Sequence, residues 1–114
     1  MASSTVILSE YRGMWLFVLF DLPVDTKKAR KDYTHFRKVL VKDGFSMLQY
    51  SVYARYFSCE DSSKIHRKKI QAQLPPDGQV RLLMVTDHQF GQMQVFWGKT
   101  RQETEKVPEQ LLLF

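Results

Sequence analysis

Residues 14–20, Met-Trp-Leu-Phe-Val-Leu-Phe, are apolar at every position, and the run stops at Asp21 with Pro23 close behind. Seven residues are short for a helix, and the aromatic content favours a strand. A strand with one face in water alternates apolar and polar side chains; this one does not, so both faces must be covered. Met14, Leu16, Val18 and Phe20 point one way, and Trp15, Phe17 and Leu19 the other. At about 25 cal/mol per Å² of apolar surface, leaving the second set in water forfeits several kcal/mol, much of a small domain's stability. The same run is about a third of the length needed to cross a bilayer, so no membrane span is expected.

The pattern then changes period. Asp25 or Thr26 can cap a helix that runs to about Asp43 and stops at Gly44. Ala29, Tyr33, Phe36 and Leu40 form its buried stripe. Residues 45–57 are β-rich and long for one strand, and a reversal near Tyr50 and Ser51 makes two. A second helix is expected from Ser62 or Ser63 to just before Pro75, on the apolar positions Ile65, Ile70 and Leu74. Asp77-Gly78 signals a turn, and residues 80–85 read as a buried strand broken only by Arg81. Residues 89–99 fit a short strand or an irregular segment, 100–109 a polar linker, and the chain closes on Leu111, Leu112, Leu113 and Phe114.

Strand, helix, strand, strand, helix, strand is the split βαβ of an α+β, ferredoxin-like fold. The expected division is an N-terminal extension over 1–13, the βαββαβ domain over 14–98, and a linker with a C-terminal pairing strand over 99–114. Right-handed crossovers put the first and third strands in the middle and both helices on one face. The other face carries Trp15, Phe17 and Leu19. Two arrangements would cover it: the C-terminal segment folding back, or a second copy packing open face to open face about a twofold axis. The face-to-face homodimer is the expectation.

The chain has 114 residues, enough for one core, with seventeen Lys and Arg against twelve Asp and Glu, a net charge of +5. One cysteine, Cys59, leaves no internal disulfide and suits a reducing compartment, and residues 1–13 lack the pattern of a secretory signal; a cytoplasmic protein is expected. The excess charge has an address. The first helix carries Lys27, Lys28, Arg30, Lys31, Arg37, Lys38 and Lys42 against only Asp32 and Asp43, and Lys64, Arg67, Lys68 and Lys69 form a second group. Cations so placed suit a polyanion, and Lys27, Lys28, Arg30, Lys31, Arg37 and Lys38 are the expected nucleic-acid contacts. Two domains side by side span roughly 65 to 70 Å, enough to support about twenty base pairs of duplex.

Asp21 shares the parity of Trp15, Phe17 and Leu19, which sets it at the rim of the open face. On its own it reads as the end of a strand and the start of the turn into Pro23. If two such faces meet, the two Asp21 carboxylates converge and need a cation or a shared proton. Mg²⁺ suits such a pair, because it is content with one or two carboxylates and keeps several waters. His35, His66 and His88 have no partner at metal-ligand spacing, and there is no phosphate-binding glycine loop, nucleophile elbow or zinc motif. A single-stranded RNA binder of the RNA-recognition-motif type shares the strand order, but it needs exposed aromatics on strands that here offer mainly aliphatics.

Several segments together resemble the CRISPR-associated protein two family: the apolar strand ending in Phe20-Asp21-Leu22-Pro23, the basic helix opening at Asp25-Thr26, Gly44-Phe45, and Gln49-Tyr50-Ser51-Val52-Tyr53. The likeness runs over about 14–98, and Val85-Thr86-Asp87-His88-Gln89-Phe90 is similar to members found beside single-effector CRISPR systems. It implies a ferredoxin-like homodimer whose C-terminal strand crosses to its partner. It also implies a place between two dimers of the CRISPR integrase, with double-stranded prespacer DNA held on the basic surface during spacer acquisition. For some members it implies metal-dependent endonuclease activity on RNA or DNA, with Asp21 in the position of the magnesium ligand and catalytic residue. Phe20 stands where many members carry Tyr, and Met47 where several carry Arg.

Overall fold

The first strand is covered on both faces, but by two different kinds of cover. A computed structural model describes residues 13–108, so the tail of Leu111 to Phe114 and nearly all of the N-terminal extension lie outside the described residues. β1 (Met14–Asp21), α1 (Lys27–Lys42), β2 (Ser46–Gln49), β3 (Val52–Phe57), α2 (Glu60–Ala72) and β4 (Gln79–Thr86) follow one another as the sequence predicts. The four strands form an antiparallel sheet in the order β2-β3-β1-β4, so β1 and β3 are central. The fold is α+β and ferredoxin-like. Among the described residues no helix is long and apolar enough to cross a membrane.

Both helices lie on one face. Leu16, Val18 and Phe20 of β1 pack with Phe36 and Leu40 of α1, Ile70 of α2, and Phe45, Tyr53 and Phe57. α1 starts where Thr26 Oγ1 accepts the Ala29 amide at 3.0 Å, which satisfies one of the unpaired donors of the first turn. It ends in a Schellman motif: the Phe45 amide donates to Leu40 O at 3.0 Å and the Gly44 amide to Val41 O at 3.1 Å. Gly44 takes the left-handed conformation this needs, with φ +87°. The reversal between β2 and β3 falls at Tyr50 and Ser51 as expected, with Ser51 at φ 66°.

Four local expectations are corrected. α2 begins at Glu60 rather than Ser62 or Ser63, because the serines bond backwards within the first turn: Ser62 Oγ donates to Cys59 O at 2.8 Å and Ser63 Oγ to Glu60 O. Of its apolar positions only Ile70 is buried; Ile65 and Leu74 are exposed. β4 is half-buried or exposed along its length, since it is an edge strand and the outer face is only partly roofed. Finally, the short strand expected within 89–99 is present, but residues 100–102 are a strand rather than the start of a linker, and a short helix precedes the pair. Residues 87–102 form α3 (Asp87–Gly91) and a separate two-stranded sheet of β5 (Val95–Trp97) with β6 (Thr100–Gln102). The two strands of that hairpin pair with each other.

The Asp77-Gly78 turn lies directly against the end of β1. Gly78 has φ +92°, and a Cβ there would sit 2.5 Å from the Asp21 carbonyl oxygen and 2.8 Å from Leu22 Cδ2. Gly78→Ala is therefore expected to destabilise the fold by about 1–3 kcal/mol through backbone strain, read as a lower midpoint in thermal unfolding.

Candidate nucleic-acid interface and the Asp21 rim

The face opposite the helices bears Trp15, Phe17 and Leu19 of β1, the residues expected to meet a second copy. In the single chain Trp15 and Phe17 are already buried under α3, which corrects that expectation. Trp15 is 5% exposed; its ring stacks on Phe90 with centroids 3.9 Å apart and planes 9° apart, and Tyr56 meets it edge-on at 5.5 Å. Trp15 Nε1 donates to Asp87 Oδ1 at 2.8 Å, so the indole loses no hydrogen bond on burial. α3 is aimed by a capping box in which Thr86 Oγ1 accepts the Gln89 amide at 3.0 Å and Gln89 Oε1 accepts the Thr86 amide at 2.9 Å. The sequence signal for this lid is Thr86-Asp87-His88-Gln89 ahead of Phe90. The area left for a partner is Leu19, half-buried, and the exposed Leu83, with Phe96 and Trp97 exposed on the hairpin.

Asp21 is the last residue of β1, opposite Gln79 of β4, and exposed. Its neighbour Phe20 is a core residue that meets Phe36 edge-on at 5.2 Å and lies stacked against Tyr53 at 5.7 Å. Among the described residues no group of three or more His, Cys, Asp or Glu side chains is arranged to hold a metal. From one copy a divalent cation would be held by the Asp21 carboxylate with its remaining positions filled by water, and a second Asp21 brought by another copy would complete the carboxylate pair that Mg²⁺ accepts.

α1 presents its cations to solvent. Lys27, Lys28, Arg30, Lys31, Arg37 and Lys38 are all exposed, and the ion pairs among the described residues involve none of them. Lys27, Arg30, Lys31, Thr34, His35 and Lys38 line one shallow depression along the helix. Two of the six are also anchored: Arg30 Nη1 donates to Val24 O at 3.1 Å, and Arg37 Nε to Tyr53 Oη at 2.8 Å. A guanidinium has five donors, so both keep several for an anion. In the second basic group, Lys64 pairs with Asp61 at 3.1 Å and Lys69 lies 3.7 Å from Asp43, which weakens the positive potential along α2.

Two clusters escaped the sequence reading because their members are distant in the chain. At the end of α1, Asp43 Oδ2 lies 2.8 Å from His66 Nδ1, and Arg55 Nη1 donates to the Asp43 carbonyl at 2.6 Å while the guanidinium covers the Phe57 ring at 4.8 Å. This ties α1, β3 and α2 together. The second is aromatic: Tyr33 of α1 stacks against Tyr50 of the β2–β3 turn at 5.7 Å.

Comparison with known proteins gives the frame a family. The family model described as "CRISPR associated protein Cas2" matches residues 14–93, from the first strand through the Phe90 lid. A protein of Parvibaculum lavamentivorans named "CRISPR-associated endoribonuclease Cas2" is 50% identical over 101 residues, which is 89% of this chain and all of that protein. One of Flavobacterium psychrophilum with the same name is 45% identical over 107 residues, 94% of this chain and 93% of that protein. A third, from Paracidovorax avenae, is 40% identical over 108 residues, 95% of this chain and all of that protein. The strand that ends in Asp21, the basic helix and the covered outer face therefore come together in a chain that belongs to the Cas2 family of CRISPR-associated proteins.

Proposed function

We propose that this chain is the DNA-holding subunit of a CRISPR adaptation complex, working as a homodimer that bridges two integrase dimers and supports the prespacer duplex. The observation that carries the reading is the row of solvent-facing cations on α1, none of which is in an ion pair among the described residues. Contacts from Lys and Arg to phosphates do not depend on sequence, as a subunit that accepts any foreign spacer requires. Pairing of two copies is supported by the exposed apolar residues Leu83, Phe96 and Trp97 and the half-buried Leu19.

A second reading is a magnesium-dependent endonuclease, favoured by the endoribonuclease name of the relatives and by the exposed Asp21 at a strand end. In a dimer one Asp21 from each copy would hold the cation, which supplies positive charge to the phosphodiester that is cut. The chain's own part would be to hold that phosphate against α1.

Asp21→Asn separates the readings. Spacer acquisition in cells and cleavage of RNA and DNA by the purified protein are measured together. Under the first reading the variant acquires spacers at the wild-type rate and still binds duplex DNA; loss of acquisition together with cleavage would make the catalytic reading correct. Failure of the wild-type protein to bind duplex at low salt overturns the first reading outright.

A further inference from the structure

The β2–β3 turn carries a side chain that neither core uses. Tyr50 is 76% exposed, in a turn position where small polar residues are the usual choice. Its ring is nevertheless held. It lies against Tyr33 with centroids 5.7 Å apart and planes 21° apart, an offset stack. Tyr33 is fixed in turn by Phe20, 5.7 Å away, and by its hydroxyl 3.2 Å from Ser51 Oγ. The Ser51 carbonyl accepts the Phe20 amide at 3.0 Å, which pins the turn to the end of β1 where Asp21 follows. One side of Tyr50 thus rests on a fixed aromatic while most of the ring stays in water.

The surroundings are cationic. Arg30 and Arg37 lie three residues before and four after Tyr33 on α1, hence on the same side of the helix. Each is oriented by a single hydrogen bond, to Val24 O and to Tyr53 Oη, and keeps free donors. The neighbouring Tyr33 hydroxyl holds the Tyr50 hydroxyl above the ordinary tyrosine range; like any tyrosine at neutral pH the ring is uncharged and does not repel phosphate. A rigid aromatic surface between fixed guanidiniums is the composition of single-strand binding sites: stacking grips any base, and the cations hold the backbone beside it. A base inside a duplex has both faces occupied by its neighbours, so such a platform selects unpaired nucleotides.

We infer that Tyr50, backed by Tyr33 and flanked by Arg30 and Arg37, is a stacking site for an unpaired nucleobase at the Asp21 end of the sheet. This rests on the nucleic-acid-binding reading above and adds to it which part of the nucleic acid that end receives.

The test uses the full chain and three probes of one sequence: single-stranded RNA and single-stranded DNA, each carrying a fluorescent purine analogue, and the blunt DNA duplex. Tyr50→Ala is expected to weaken single-strand binding at least about fivefold and to abolish quenching of the analogue, while duplex binding and the melting temperature stay as in wild type. Tyr50→Phe and Tyr50→Trp, which keep a ring, are expected to retain both. Single-strand affinity unchanged in Tyr50→Ala, or an equal loss for single strand and duplex, overturns the inference. A wild-type protein that binds duplex but no single strand also overturns it and leaves the parent reading standing; one that binds none of the three removes that reading too.

Discussion

Phe90→Ala lowers the melting temperature by about 12 °C or more. Phe90 is 2% exposed, stacks on Trp15 at 3.9 Å and approaches Phe17 at 5.8 Å, so its removal opens a cavity over the centre of the sheet. Truncating a buried phenylalanine typically costs about 3–5 kcal/mol, and for a domain near this size each kcal/mol is worth roughly 4–8 °C. The loss is a large share of the total stability expected for such a domain. A spectroscopic sign should accompany it. In a Trp97→Phe background only Trp15 emits, and losing its stacking partner shifts that emission to the red. Phe96→Ala, which truncates an exposed ring on the hairpin, should move the midpoint by no more than a few degrees. If Phe90→Ala melts within a few degrees of wild type, α3 is not what shields Trp15, and the outer face returns to being a surface in need of a partner.

Reversing three charges on α1, in Lys28→Glu/Lys31→Glu/Lys38→Glu, is expected to reduce affinity for duplex DNA by two orders of magnitude or more at about 0.1 M salt. If each lysine contacts one phosphate, the slope of log affinity against log salt becomes shallower by about 0.9 per contact, or roughly 2.7 for three. The fold should not notice, because all three side chains are exposed and no ion pair among the described residues includes them. Lys64→Glu on α2 is the comparison: its ammonium already faces Asp61 at 3.1 Å, so a smaller effect follows. Isotherms measured at several salt concentrations give both numbers. A triple variant that binds as tightly as wild type, with an unchanged slope, would place the duplex elsewhere on the molecule and remove the main support for the proposed function.

Much of the frame was legible because its signals are local. The unbroken apolar run of β1 requires cover on both faces, and both covers exist: Leu16, Val18 and Phe20 under the helices, Trp15 and Phe17 under α3. Thr26 and Gly44 bound α1 because a cap and a Schellman motif involve only residues within one turn of each end. The reading of α2 failed by the same measure. Its serines bond backwards inside the helix, and of the three apolar residues read into it Leu74 lies beyond its end, Ile65 faces water and only Ile70 reaches the core. That Asp21 ends β1 was legible from the sequence next to it, whereas Tyr50 as a stacked and anchored ring was not, since its support, Tyr33, is seventeen positions away on another element.

The sequence by itself determined the order and type of the main elements, the two-sided burial of β1 and the concentration of positive charge on α1, because periodicity, caps and charge are properties of neighbouring residues. Only the tertiary structure decided what covers the outer face. Burying Trp15 requires some apolar partner, and the transfer free energy is indifferent to whether that partner comes from another copy or from the same chain. Phe90 satisfies the requirement within the chain because the β4-to-α3 turn brings it over Trp15, an arrangement set by the capping box at Thr86 and the bond from Trp15 to Asp87.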